Sequence, residues 1–296
     1  MNNEKLKNCP ICGNEKHRPK IKAIDYTVSK ERFEIVKCEH CKFVFTNPRP
    51  DQENIGRYYE SDTYISHTNS KETLFEKVYH LVRNYTLKSK LNIINKYGED
   101  QKTILDYGCG TGAFLDICKQ KDWKIEGIEP NISARNQTED SLNQKIFENK
   151  DDIESSKRYK VITLWHVLEH VHELNETFEW LKNRLEDNGR LIIAVPNHFS
   201  EDANKYKEHW AAYDVPRHLY HFDQNSMGKL TKKFGMKIEK ILPMRFDSFY
   251  VSMLSSKYKY GKTNLIESFW IGLKSNIKAY YNNKNYSSLI YIISKA

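Results

Sequence analysis

Residues 104–115, ILDYGCGTGAFL, constrain the fold more than any other stretch of this chain. An apolar run, three glycines within five residues and a second apolar segment read as a strand, a tight turn and a helix. Glycine permits backbone conformations and close approaches that a Cβ forbids, a habit of loops wrapped round a ligand. Gly108, Gly110 and Ala113 satisfy the dinucleotide fingerprint G-x-G-x-x-G/A. Asp106, Gly108, Gly110 and Gly112 satisfy an acid-x-G-x-G-x-G pattern equally well. The glycines by themselves leave both open.

What surrounds this turn is an alternation of short apolar runs and helical spacings. Strands are predicted at 103–106, 124–128, 145–147, 161–164, 190–195, 236–242 and 287–293. Helices are predicted at 113–119, 176–185 (capped by Gly189) and 226–234, with a further one over 71–97 on the spacing of Leu74, Val78, Leu81, Val82, Leu91 and Ile94. That order predicts an α/β fold, a Rossmann-like, mostly parallel seven-stranded sheet covered on both faces. The last two strands are joined through a helical insertion at 247–285 rather than a crossover helix, so they are predicted to pair antiparallel at the sheet edge.

The front of the chain is different. Cys9-Pro-Ile-Cys12 and Cys38-Glu-His-Cys41 form two C-x2-C knuckles separated by 25 residues. Two such knuckles complete a tetrahedral thiolate site for Zn²⁺, with no open position for chemistry. A small zinc ribbon, residues 1–50, is the expectation, with His17 and His40 as bystanders. Disulfides conflict with the cytoplasmic location expected of a chain whose first residues lack a secretory apolar core. Cys109 and Cys118 lie far away in sequence, Cys118 reading as a small buried hydrophobe. Residues 51–98 read as a helical connector or cap and 99–296 as the catalytic domain.

The net charge of +8 sits at the two ends. Residues 1–50 contribute +5 and 251–296 contribute +6, which leaves −3 for the middle 200. A centre so close to neutral argues against a phosphate track for nucleic acid.

With ILDYGCGTGAFL, GIEPN (127–131), VITLWHVLEHV (161–171) and GRLIIAVPN (189–197) in this order, the chain resembles the class I S-adenosylmethionine-dependent methyltransferases. It looks most like the bacterial branch that includes ubiquinone-type, surface-saccharide and natural-product enzymes. The resemblance implies that Asp106, Tyr107, Gly108, Gly110 and Gly112 cradle the amino-acid end of the cofactor. It implies Glu129 on the ribose hydroxyls, Pro130 and Ile132 beside the adenine, Asp151 or Asp152 on its amino group, and Leu164 and Trp165 beside the methionine portion.

The catalytic groups are sought beyond the carboxyl ends of the strands. His166, Glu169 and His170 are spaced to share one face if 166–170 is helical. Either histidine is then a candidate general base, and the trio also resembles an E-x-x-E-H metal cluster with histidine in the first place. The loop 197–224 is longer than a simple connection needs and is predicted to lie over the site as a lid. It carries Trp210, Tyr213, Arg217, His218 and His221 as stacking surface, anion clamp and further bases. Tyr58, Tyr59 and Tyr64 are expected to close the near side. The sequence thus points to methyl transfer onto a small-molecule hydroxyl, of a saccharide or related metabolite, with an RNA methyltransferase and a non-catalytic cofactor-binding scaffold as alternatives. The basic, aromatic segment 247–285 is expected to pack on the sheet edge, to meet a lipid-linked acceptor or membrane surface, or to dimerise.

Overall fold

A computed structural model describes residues 3–60, 74–98, 101–282 and 284–296, with the side chains of 74–80 left aside. Tyr64 and the start of the 71–97 helix therefore lie outside the described residues.

The chain begins with β1 (Asn3–Glu4), β2 (His17–Ile24), β3 (Arg32–Cys38), β4 (Val44–Thr46) and β5 (Arg49–Pro50). β2, β3 and β4 form an antiparallel sheet, and β1 pairs with β5. α1 (Leu74–Asn95) follows, and its Leu91, Ile93 and Ile94 are buried while Leu81 is exposed.

Then the alternation predicted from the sequence appears: β6 (Thr103–Tyr107), α2 (Ala113–Lys119), β7 (Lys124–Ile128), α3 (Ile132–Leu142), β8 (Tyr159–Trp165), α4 (Leu174–Arg184) and β9 (Leu185–Pro196). α5 (Glu201–Tyr206), β10 (Tyr220–His221), α6 (Gln224–Lys233), β11 (Met236–Pro243), α7 (Asp247–Tyr260), α8 (Leu265–Tyr281) and β12 (Ser288–Lys295) complete the chain. The central sheet has the order β11-β12-β9-β8-β6-β7. β7, β6, β8 and β9 are parallel, and β12 runs antiparallel between β9 and β11. The continuous burial of Val161–Leu164 and Leu191–Val195 is what a parallel sheet covered on both faces requires.

This is the Rossmann-like architecture predicted, with six strands in the central sheet rather than seven. Residues 145–147 touch it only through the single Ile128–Phe147 bridge. The ladder does not propagate because the Gln144 side chain donates to the Ile125 carbonyl oxygen that the next bond would use, and a capping turn starts at Asn149. A second correction concerns Gly189, which does not cap a helix. α4 stops at Arg184 and Gly189 lies within β9, where a Cβ would come 2.9 Å from the Lys160 carbonyl oxygen.

Candidate active site

The glycine turn is built as its composition demands. Gly108, Gly110 and Gly112 all have left-handed φ, at 77°, 56° and 77°. Gly108 N and Cys109 N both donate to the Ile128 carbonyl oxygen, which ties the turn to the end of β7. The three positions differ in what a side chain would meet. At Gly108 a Cβ would fall 2.5 Å from Val167, and at Gly112 2.6 Å from Thr138, so those glycines serve internal packing. At Gly110 nothing lies within 4 Å. Its Cα therefore faces open space, a cradle that a side chain would fill, while its N–H and carbonyl are bonded to Glu129 and Thr138.

Glu129, at the end of β7, turns its carboxylate to this cradle. Oε2 accepts from Gly110 N at 2.8 Å and Oε1 from Asn131 N at 2.9 Å. Each oxygen keeps a second lone pair. Pro130 and Ile132 lie beside it and both are exposed. Asp106 is buried and accepts from Thr163 Oγ1 at 2.6 Å. Burial pushes its carboxyl up to about 6, against the pull of Thr163 and Lys90. Tyr107 packs edge-on to Trp180.

The remaining predicted cofactor residues divide. Asp152 accepts from Asn149 N and so serves as a cap, whereas Asp151 leaves its carboxylate exposed. Leu164 points into the core and is fully buried. Trp165 lies edge-on to Phe114, with Lys90 Nζ 4.4 Å from its ring centre. Its indole Nε1 is buried with no hydrogen-bond partner among the described residues.

His166 follows directly on β8. Its φ of 60° is unusual for a residue with a side chain, and such positions concentrate at functional sites. The segment 166–170 is a turn, not the expected helix. It nevertheless brings Glu169 Oε1 to 3.4 Å from His166 Nδ1, while Asp247 Oδ2, from the start of α7, stands 3.3 Å from Nε2. Burial alone favours the neutral ring, but the Asp247 and Glu169 carboxylates outweigh it and raise the pKa to about 9. Glu169 is fully buried and neither oxygen has a well-aligned hydrogen bond. Burial disfavours its charge, yet His166 and the neighbouring imidazoles hold it below the usual carboxylate range. Asp247 was not among the residues singled out in the sequence. Eighty residues of chain separate it from His166, and only the return of α7 over the sheet joins them.

His170, His218 and His221 each commit one ring nitrogen to structure. His170 Nδ1 is 3.0 Å from the Tyr59 hydroxyl and 3.1 Å from the Arg217 carbonyl oxygen. Burial and the adjacent His218 push its pKa down to about 4. His218 Nδ1 faces the Ala212 carbonyl oxygen, and its ring is edge-on to His170 at 4.6 Å. His221 Nε2 is 3.1 Å from Thr46 Oγ1, and burial holds it well below the ordinary range. Glu169, His170 and His218 each bring one donor atom within 4.8 Å of the other two. The converging set is therefore not His166, Glu169 and His170, because His218 takes the place of His166.

The segment 197–224 is packed, not draped. Trp210 is buried, and its Nε1 donates to Asp202, which also accepts from Ser275 and Ser287. Arg217, 1% exposed, is divided between Asp214, Asp25 and the Tyr58 carbonyl oxygen. An anion clamp is not available from a guanidinium so committed. β10 joins β4 as a fourth strand of the N-terminal sheet, and Leu219 N donates to the Glu169 carbonyl oxygen. Tyr58 is likewise buried, donating to Glu31.

At the far end of that N-terminal sheet the four predicted cysteines converge. Cys9 Sγ lies 3.4 Å from Cys41 Sγ, and Cys12 Sγ 3.6 Å from Cys38 Sγ. Tetrahedral zinc with bonds of about 2.3 Å sets sulfurs roughly 3.8 Å apart, so the donor set fits the metal. His17 contacts Asn47 and His40 is exposed, both outside the cluster.

A family model described as a methyltransferase domain matches residues 79–241. Among solved structures, the chain is similar to magnesium protoporphyrin IX methyltransferase from Synechocystis PCC 6803. With S-adenosylhomocysteine bound, that enzyme is 14% identical at a TM-score of 0.53, covering 83% of this chain and 100% of that one. With S-adenosylmethionine bound, the values are 13%, 0.52, 85% and 100%. No curated protein sequence matches significantly.

Proposed function

The chain belongs to the methyltransferase-domain family, and from that premise we propose that its methyl donor is S-adenosylmethionine, and also which of its residues serve the reaction and which acceptor they suit. The open space at Gly110, bordered by Glu129, is the observation that carries the reading. Glycine backbone there can approach the cofactor's amino-acid end, and Glu129 keeps lone pairs for ribose hydroxyls. Pro130 and Ile132 offer an exposed apolar wall for the base, with Asp151 the free one of the two acids. Asp106, below the turn, supplies negative charge toward the sulfonium. When bound, S-adenosylmethionine supplies an electrophilic methyl carbon.

His166 is the base in this reading. Glu169 holds its Nδ1 side, so Nε2 is the nitrogen that takes the acceptor's hydroxyl proton as that oxygen attacks. Asp247 occupies Nε2 here and has to yield to the acceptor. With Asp247 in place a pKa of about 9 keeps the ring protonated at neutral pH, so the departure of Asp247, which lowers that pKa, is also what frees Nε2 to act as a base. The acceptor is a hydroxyl-bearing small molecule of the saccharide or related metabolite class. The net charge of −3 over the middle 200 residues favours this over RNA.

Cys9, Cys12, Cys38 and Cys41 would hold a structural Zn²⁺ whose role is to fold residues 1–50. That module buttresses the 197–224 segment through β4 and β10, and 99–296 is the catalytic domain. Labelled methyl transfer into separated cell extract tests the acceptor class. Label in the polar small-molecule fraction is expected, and label confined to RNA would overturn it.

A further inference from the structure

The C-terminal helical hairpin has its burial inverted. α7 turns Ser248, Ser252, Ser255 and Ser256 inward, and α8 turns Ser268, Gly272, Ser275 and Ala279 inward with Ile271 the one large apolar residue among them. Ser248 Oγ donates to the Gly272 carbonyl oxygen and Ser268 Oγ to that of Ser252. A Cβ on Gly272 would lie 2.8 Å from Phe249. Small residues at a close helix crossing, with bulky apolar ones outside, are the packing habit of lipid-facing helices.

The outer face of α8 carries an apolar stripe broken at Lys274. Ile266 (74% exposed), Trp270 (62%), Ile277 and Tyr281 (81%) recur at four, seven and four residues, flanked by Phe269 and Tyr280. Scattered exposed hydrophobics are ordinary, but a full-length stripe is not. Among the described residues no helix is long and apolar enough to cross a membrane. The stripe belongs instead to a helix that lies along a surface, with Trp and Tyr suited to the interface.

Charge identifies the surface. The segment 247–285 holds Lys257, Lys259, Lys262, Lys274, Lys278 and Lys284 against Asp247 and Glu267. Lys274 and Lys278 pair with Glu201, Asp247 faces His166, and Glu267 is bonded to Tyr260 and Asn264. Lys257, Lys259, Lys262 and Lys284 make no ion pair among the described residues and lie at the α7 end, the connecting turn and just past α8. Two copies meeting through this face would bring like charges together. We propose that the α7–α8 hairpin docks the enzyme onto an anionic lipid bilayer, with the apolar stripe in the headgroup region and these lysines on lipid phosphates. α7 begins at Asp247, 3.3 Å from His166, so the docked face adjoins the candidate site. The inference does not depend on the acceptor's identity.

Co-sedimentation of the full chain with phosphatidylglycerol-containing and pure phosphatidylcholine vesicles tests it. Binding to the anionic vesicles is expected, weakening as salt rises, with a blue shift of tryptophan emission. The Ile266→Ser/Trp270→Ser variant should bind at least about tenfold more weakly. Should it not fold, as judged by circular dichroism, Lys257→Glu/Lys259→Glu/Lys262→Glu is expected to lose binding in the same assay. No binding by the parent, or undiminished binding by the folded variants, would overturn the proposal. So would a dimer in sedimentation velocity that the Ser variant dissociates without any vesicle binding.

Discussion

Residues 165–172 (WHVLEHVH) and 209–222 (HWAAYDVPRHLYHF) read alike in the sequence, each a cluster of histidines and aromatics beyond a strand end. The fold treats them in opposite ways. In the second, Trp210, Arg217, His218 and His221 are all buried, and their polar atoms are consumed by Asp202, Asp25, Asp214, Ala212 and Thr46. In the first, His166 keeps a third of its side chain exposed, a left-handed φ, and carboxylates on both nitrogens. Residue type identifies where chemistry could sit, whereas exposure, a left-handed backbone and paired carboxylates separate His166 from the buried histidines behind it.

Substitutions at the two clusters should separate them. His166→Gln should lower kcat by about 10²–10⁴-fold with little change in melting temperature. His221→Gln should stay within about tenfold of the parent, and the comparison breaks if the two behave alike. Arg217→Met removes the counter-charge from buried Asp25 and partly buried Asp214, so urea unfolding should report a loss of about 3–5 kcal/mol. Retained stability with weakened substrate binding would instead make 197–224 a binding lid.

The glycine turn sharpens the same contrast on a smaller scale. Gly108→Ala drives a methyl into Val167 and should cost about 1–3 kcal/mol in unfolding experiments. Gly110→Ala carries only the left-handed backbone penalty, about 1–2 kcal/mol, yet should weaken cofactor binding more than it weakens the fold. The smallest effect concerns pH. Asp106 carries a pKa raised to about 6, and a cationic ligand favours its ionised form. Affinity for S-adenosylmethionine should therefore fall several-fold as pH drops from 7.5 through 6, and Asp106→Asn should flatten that dependence.

Much of this was legible in the sequence because backbone demands leave residue-level marks. The three glycines, the paired cysteines and the apolar runs at 161–164 and 190–195 each have few alternative uses. Other features left weaker marks. Residues 145–147 have strand composition, but the Gln144 side chain takes the next ladder acceptor, the Ile125 carbonyl oxygen, and a turn starts at Asn149. Residues 166–170 have helical spacing, but the positive φ of His166 and the backbone bonds from Leu219 and Tyr220 to Glu169 fix a turn. Asp247 and the commitment of Arg217 to Asp25 depend on contacts across long stretches of chain, which periodicity does not encode.

Calorimetric titration with S-adenosylhomocysteine tests the central claim, that the open turn at Gly110 and the carboxylate of Glu129 hold the methyl donor. One-to-one binding by the parent protein, lost or weakened at least about tenfold in folded Glu129→Ala and Gly110→Ala, is the predicted result. Unchanged affinity in both variants, or no binding by the parent, would contradict it.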